Sequence, residues 1–111
     1  MSAAPSAALD NFLRMLESGK DGAFLRFSLG NEYLKCGDTE RAIEHLARAV
    51  ALDQGYTAAW KLYARALAGA GRTAEAIVAY EQGIGVAAAK GDRQAQKEMQ
   101  VFVRRLRNSA G

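Results

Sequence analysis

The sequence predicts an all-α fold, an antiparallel stack of about six helices built from a repeated helical hairpin. One observation is an apolar skeleton that returns after 34 residues. Leu29 comes back as Tyr63, Gly30 as Ala64, Tyr33 as Leu67 and Gly37 as Gly71. Thr39 comes back as Thr73, Ala42 as Ala76, Ile43 as Ile77, Leu46 as Tyr80, Ala49 as Gly83 and Val50 as Ile84. Size class is kept at each place, and a fixed period of this length marks stacked hairpins. The other observation is composition. Half of the residues are apolar, Pro5 is the single proline and β-branched residues are scattered, which favours helix over sheet.

Each element follows from spacing and punctuation. Residues 1–6 read as a disordered lead-in. From Ser6 to Ser18, Leu9, Phe12, Leu13 and Leu16 lie at i, i+3, i+4 and i+7 and draw one apolar stripe down a short helix. Gly19-Lys20-Asp21-Gly22 ends it, and Asp21 is expected to cap the next helix. That helix spans about Ala23 to Cys36, with Leu25, Leu29 and Tyr33 four apart on one face. Gly30 beside them costs about 1 kcal/mol against Ala in mid-helix, so a neighbouring helix is expected to approach it closely. Gly37 supplies a left-handed stop and Thr39 or Asp38 an N-cap. A second helix, about Glu40 to Leu52, then presents Ala42, Ile43, Leu46, Ala49 and Val50.

The plan repeats. Thr57 is expected to cap a helix to about Ala70 that carries Ala59, Trp60, Tyr63, Ala64 and Leu67. After Gly71, a helix starting near Ala74 shows Ala76, Ile77, Tyr80, Ile84 and Val86, with Ala87 to Lys90 able to prolong it. Asp92 caps a last helix, about Arg93 to Asn108, whose stripe is Ala95, Met99, Phe102, Val103 and Leu106. Ser109-Ala110-Gly111 reads as a frayed end. The whole is expected to be one domain. A lead-in and capping helix fill 1–22, the two repeats fill 23–56 and 57–90, and a capping helix with its tail fills 91–111.

These residues resemble the tetratricopeptide repeat (TPR), in its small bacterial-type two-repeat form with capping helices. Trp60, Tyr63, Ala64, Leu67, Ala76, Tyr80 and Gly83 stand where that family's pattern asks W-x2-L-G-x2-Y and then A-x3-F-x2-A. Leu29, Gly30, Tyr33, Ala42, Leu46 and Ala49 match the same places in the first copy. Arg26 departs from the pattern at the Trp place, and Gln54 and Ala88 replace the closing Pro. Stacked repeats draw stability from their neighbours, so the flanking amphipathic helices are expected to cover the two ends.

Composition narrows function by exclusion. The net charge of +3 is mild for a nucleic-acid binder of this size. One Cys and one His offer no metal spacing, and no GxSxG, P-loop, HExxH or GxGxxG is present. Nothing calls for a cofactor or an enzymatic activity. His45, beside Glu44 and Arg48, reads as a solvated surface residue, and Glu32 and Glu40 show no convergent partner. The N-terminal residues lack the charged start and apolar core of a secretion signal, and no run is long enough to span a membrane, so the cytoplasm is expected.

The resemblance implies a binding role. In TPR-like stacks the first helices of the hairpins line a concave groove that takes an extended peptide or a partner helix. By that analogy the groove-facing residues are Phe27, Asn31, Leu34 and Lys35 in the first repeat and Lys61, Leu62, Arg65 and Ala68 in the second. Lys61 and Arg65 are four apart and of like charge, and beside Asn31 they suit a carboxylate on an acidic protein partner. The carboxylate-clamp members of the family use a related Lys/Asn/Arg set, though Phe27 stands in the place of one clamp Lys. Two other roles are open at this point. One is assembly or self-association through an apolar patch, and the other is weak nucleic-acid contact by the basic strip Arg104, Arg105 and Arg107.

Overall fold

A computed structural model of the chain describes residues 6–110, with Ala110 described in its backbone alone. Six helices follow one another: α1 Ala7–Glu17, α2 Ala23–Lys35, α3 Thr39–Leu52, α4 Thr57–Gly69, α5 Thr73–Ala89 and α6 Arg93–Ala110. Helices α2 and α3 form one antiparallel hairpin and α4 and α5 the next. Helix α3 packs on α4, α6 on α5, and α1 on α2. The result is a slab of 40 × 34 × 19 Å, all-α and TPR-like.

The turns explain why the repeats superimpose. Gly37, Gly71 and Gly91 have φ of 80°, 78° and 73°, where a side chain would be strained. Each places the next amide on a carbonyl five residues back: Asp38 on Tyr33, Arg72 on Leu67 and Asp92 on Ala87, all at 2.9 Å. Asp38 then caps α3 by accepting from the Arg41 amide, and Asp92 accepts from the Ala95 amide at 3.1 Å.

The core is the predicted skeleton. Leu29, Leu46, Leu67, Tyr80 and Met99 are its largest fully buried side chains, joined by Ala42, Ala64 and Ala76. Burying one such Leu or Met contributes about 1.5–3 kcal/mol. The glycine in α2 has the expected reason. A Cβ on Gly30 would stand 2.5 Å from Leu46 Cγ, so α3 approaches α2 more closely than any other residue permits. The same device recurs at Gly83, where a Cβ would stand 2.7 Å from Met99 Sδ and 3.0 Å from Trp60 Cβ.

Several local expectations are corrected. Asp21 does not cap α2, whose N-cap Gly22 has no side-chain bond; Asp21 instead takes both arms of the Arg26 guanidinium at 2.8 and 2.9 Å. Thr57 is the first helical residue of α4 rather than its cap, and Tyr56 at the cap makes no capping bond. Ser109 is still helical, because Met99, Val103 and Leu106 hold α6 down. The lead-in expected over residues 1–6 lies outside the described residues save for Ser6. Its hydroxyl accepts from the Leu9 amide at 3.0 Å and donates to Glu32 at 3.1 Å, tying α1 to α2.

Candidate functional site

Two short turns make α2 and α4 both antiparallel to α3, so they run parallel and leave a cleft between their outer faces. The cleft holds about 450 Å³ and is lined by Asn31, Leu34 and Lys35 from α2 and Leu62, Arg65 and Gly69 from α4, with Thr39 at its end. It is small and half polar in character, with Leu34 and Leu62 as the apolar floor. Lys35 reaches back to Glu32 at 3.3 Å, and Glu32 is also held by Ser6, so this carboxylate has two partners where spacing showed none. Arg65 is exposed and forms no hydrogen bond or ion pair among the described residues.

Five of the eight residues expected in the groove therefore meet: Asn31, Leu34, Lys35, Leu62 and Arg65. Phe27, Lys61 and Ala68 do not line the cleft. The Phe27 ring lies 5.1 Å from that of Tyr56, half-buried, where it closes the seam between α2 and the start of α4. Lys61 turns the other way and pairs with Glu98 of α6, which holds the Glu98 carboxyl below its ordinary range. The like-charged Lys61/Arg65 pair is thus divided: one cation is neutralised across the α4/α6 seam and the other is left open. Phe24 lies on the same outer stripe of α2 as Asn31 and is 72% exposed, an aromatic that the sequence reading passed over.

His45 is not a solvated residue. Its ring stacks on Tyr33 at 5.3 Å with the planes 9° apart, and its Nδ1 lies 3.1 Å from Arg26 Nη1. Burial and then the Arg26 charge lower its pKa from 6.5, so the neutral ring accepts the guanidinium N–H. Glu40 has a partner as well, Arg72 at 3.7 Å.

A second cleft, about 710 Å³, lies on the side of α3 and α5 and is mostly apolar. Trp60 and Tyr63 form its back, and Val50, Ala51, Val78, Ala79 and Val86 its walls. Trp60 and Tyr63 read as plain core from spacing, but both are only partly covered. Val78, 61% exposed, gave the one signal for this face, an apolar residue outside the repeat skeleton. Among the described residues no helix is long and apolar enough to cross a membrane, and no cluster of His, Cys, Asp and Glu is able to hold a metal.

A tetratricopeptide repeat family model matches residues 33–97. The chain belongs to the tetratricopeptide repeat family. A TPR repeat-containing protein of Pseudomonas aeruginosa is 51% identical over 98 residues, 88% of this chain and 93% of that protein. Among solved structures, a protein of Bordetella parapertussis determined in solution has a TM-score of 0.79 at 38% identity, covering 94% of this chain and 90% of its own. YrrB, a TPR protein with an unusual peptide-binding site, has a TM-score of 0.63 at 24% identity over 88% of this chain and 58% of its own, and shares the fold. The TPR fold is a protein-interaction fold.

Proposed function

We propose that this TPR protein is a non-catalytic adaptor that holds an extended segment of a protein partner in the α2/α4 cleft. An acidic side chain or C-terminus of that segment would lie among Asn31, Lys35 and Arg65. The observation that carries this reading is Arg65: a cation without an acidic partner among the described residues, lining one cleft with the Asn31 amide and the apolar Leu34 and Leu62. A guanidinium offers paired donors to a carboxylate, which an ammonium does not. Peptide binding by YrrB is in keeping with such a use of the fold, but at 24% identity it lends no residues. The test is capture of partners from the native cell by the protein and by Arg65→Glu. Loss of a defined partner with the charge reversal, while helicity is unchanged, is expected; an unaltered set of captured proteins would remove the cleft from the account.

A second reading is assembly through the α3/α5 cleft, favoured by its size, its apolar walls and the exposure of Val78. Sedimentation across a wide concentration range tests the self-associating form, which a constant monomer mass eliminates.

A further inference from the structure

Helix α5 turns an unusual face outward, and the repeat supplies a control for it. The same places occur on α3, 34 residues earlier. On the side of α3 away from the core stand Glu40, Glu44 and Arg48, all exposed. On α5 those places are Ala74, Val78 and Gln82, also exposed. Two acids remain beside them, and each is neutralised within the chain. Glu75 takes the Arg72 guanidinium at 2.8 Å, and Glu81 takes that of Arg107 at 2.9 Å. A lone exposed valine is ordinary. This one, 61% exposed, replaces the carboxylate of the sister helix and lines the apolar cleft of about 710 Å³.

A glycine on the same face is an independent sign. Gly30 and Gly83 each make room for a side chain of this chain. Gly85 does not: a Cβ there would meet nothing within 4 Å, and its φ is not positive. The first hairpin carries Ala51 at that place, and alanine would favour the helix at no steric cost. The hollow at Gly85 therefore faces outward, and no described residue fills it.

We infer that its occupant is a second copy of this chain, docked α5 against α5 about a two-fold axis. This rests on the assembly reading above and gives it a partner and a register. Val78 and Gly85 are seven residues apart, two turns along one side of the helix. An antiparallel two-fold between them sets each Val78 on the partner's Gly85 and each Ala74 against the partner's Ala89. Knob and hollow at matched spacing make the face complementary to itself. Any other partner would have to reproduce both. With Glu75 and Glu81 neutralised, two copies meet without strong like-charge repulsion. Helix α5 has 17 residues and is thus about 25 Å long, and α3 beside it lies about 10 Å away. Their joint face offers about 500 Å² per copy, or about 1,000 Å² in the pair, the lower limit of a specific interface. The dimer is accordingly weak.

Sedimentation of the full chain up to about 1 mM reads the association, and cysteine cross-linking in a Cys36→Ser background reads the register. A dissociation constant on the order of 0.1 mM is expected. Val78→Glu restores the charge that α3 has at this place and is expected to weaken the dimer about tenfold. Val78 is exposed, so helicity is expected to stay unchanged. Gln100→Glu, an equal charge change on α6, stays within about twofold. On oxidation Gln82→Cys, beside the axis, is expected to link to itself. Val78→Cys and Gly85→Cys are expected to link when mixed and not singly, because like positions stand about 10 Å apart along the helices. A dimer that Val78→Glu weakens but that lacks the mixed link overturns the two-fold register and leaves assembly through the cleft standing. A constant monomer mass overturns both, and so does a dimer indifferent to Val78→Glu.

Discussion

The two hairpins share a backbone plan but fasten it differently, and Arg26 and Trp60 show how. They occupy the same place, 34 residues apart. Each holds the turn that precedes its helix. Arg26 grips the Asp21 carboxylate, and Trp60 donates its Nε1–H to the Gln54 carbonyl at 2.8 Å. Two further places change with them. Tyr33 and His45 in the first hairpin correspond to Leu67 and Ala79 in the second. The first hairpin fills the space with a stacked Tyr–His pair capped by a guanidinium; in the second, Trp60 and Ala79 line the open apolar cleft beside α3 and α5. A single repeat template thus admits a polar and an apolar solution.

The small residues are exchanged as well. In the first hairpin glycine is on the first helix, at Gly30, where it receives Leu46; in the second it is on the second helix, at Gly83, where it receives Met99. The largest expected effects come from emptying those hollows. Leu46→Ala and Met99→Ala each remove a side chain with 0% exposure and are expected to cost about 2–5 kcal/mol, read by denaturant titration. If Met99→Ala costs far less than Leu46→Ala, α6 is a loose appendage rather than the wall of the second hairpin.

Filling the hollows separates the hairpins next. Gly30→Ala sets a methyl 2.5 Å from the branch point of Leu46, which is enclosed on all sides. About 1–3 kcal/mol of destabilisation is expected after the gain in helix propensity. Gly83→Ala meets chiefly the Met99 sulfur at 2.7 Å, in an unbranched chain that turns aside more easily. The smaller loss belongs there, and equal midpoints for the two variants would contradict this account.

Acid should distinguish the hairpins too. The folded state lowers the His45 pKa from 6.5, so it binds this proton more weakly than the unfolded chain. The stabilisation is complete above 6.5 and is lost as pH falls from there toward the lowered value. The limiting slope from one such group is about 1.4 kcal/mol per pH unit. His45→Ala, which imports the residue of the second hairpin, is expected to flatten that slope. A slope unchanged by the substitution would place the acid sensitivity elsewhere.

These contrasts show what is legible in a sequence of this kind. Leu29, Gly30, Leu46 and their counterparts follow a period, and packing that recurs leaves a recurring signature, so the six helices and the core are read directly. Asn31, Leu34, Lys35 and Arg65 come together because the repeat itself carries them to one face. Partners that break the period are invisible. Lys61 meets Glu98 across 37 residues and a change of element, and no spacing rule connects them. Arg26 and His45 look like surface charges in a list of residues, yet the absence of Trp at the Arg26 place was itself the clue that something else fills that volume. Asp21 fails as a cap for the same reason: a guanidinium five residues on competes for its oxygens and wins with two charge-assisted bonds.

The smallest effect concerns how each hairpin treats its outward cations. On α2, Lys35 is paired within its own helix with Glu32. On α4, Lys61 is paired across the seam with Glu98, and Arg65 has no ion pair among the described residues. Glu98 also accepts from Gln94 at 3.2 Å, so the carboxylate is held from two sides and Lys61 is kept off the cleft. Glu98→Gln retains the shape and most of the hydrogen bonding but removes the charge that neutralises Lys61. An ammonium on a mobile stem would then join Arg65 as a second cation for an acidic ligand. Because the pair is largely open to solvent, the gain in affinity for an acidic peptide is expected to be only about two- to threefold, and to vanish at high salt. Calorimetry at low and high ionic strength measures it. A loss of affinity would mean that Glu98 positions the seam for binding, not merely that it occupies Lys61.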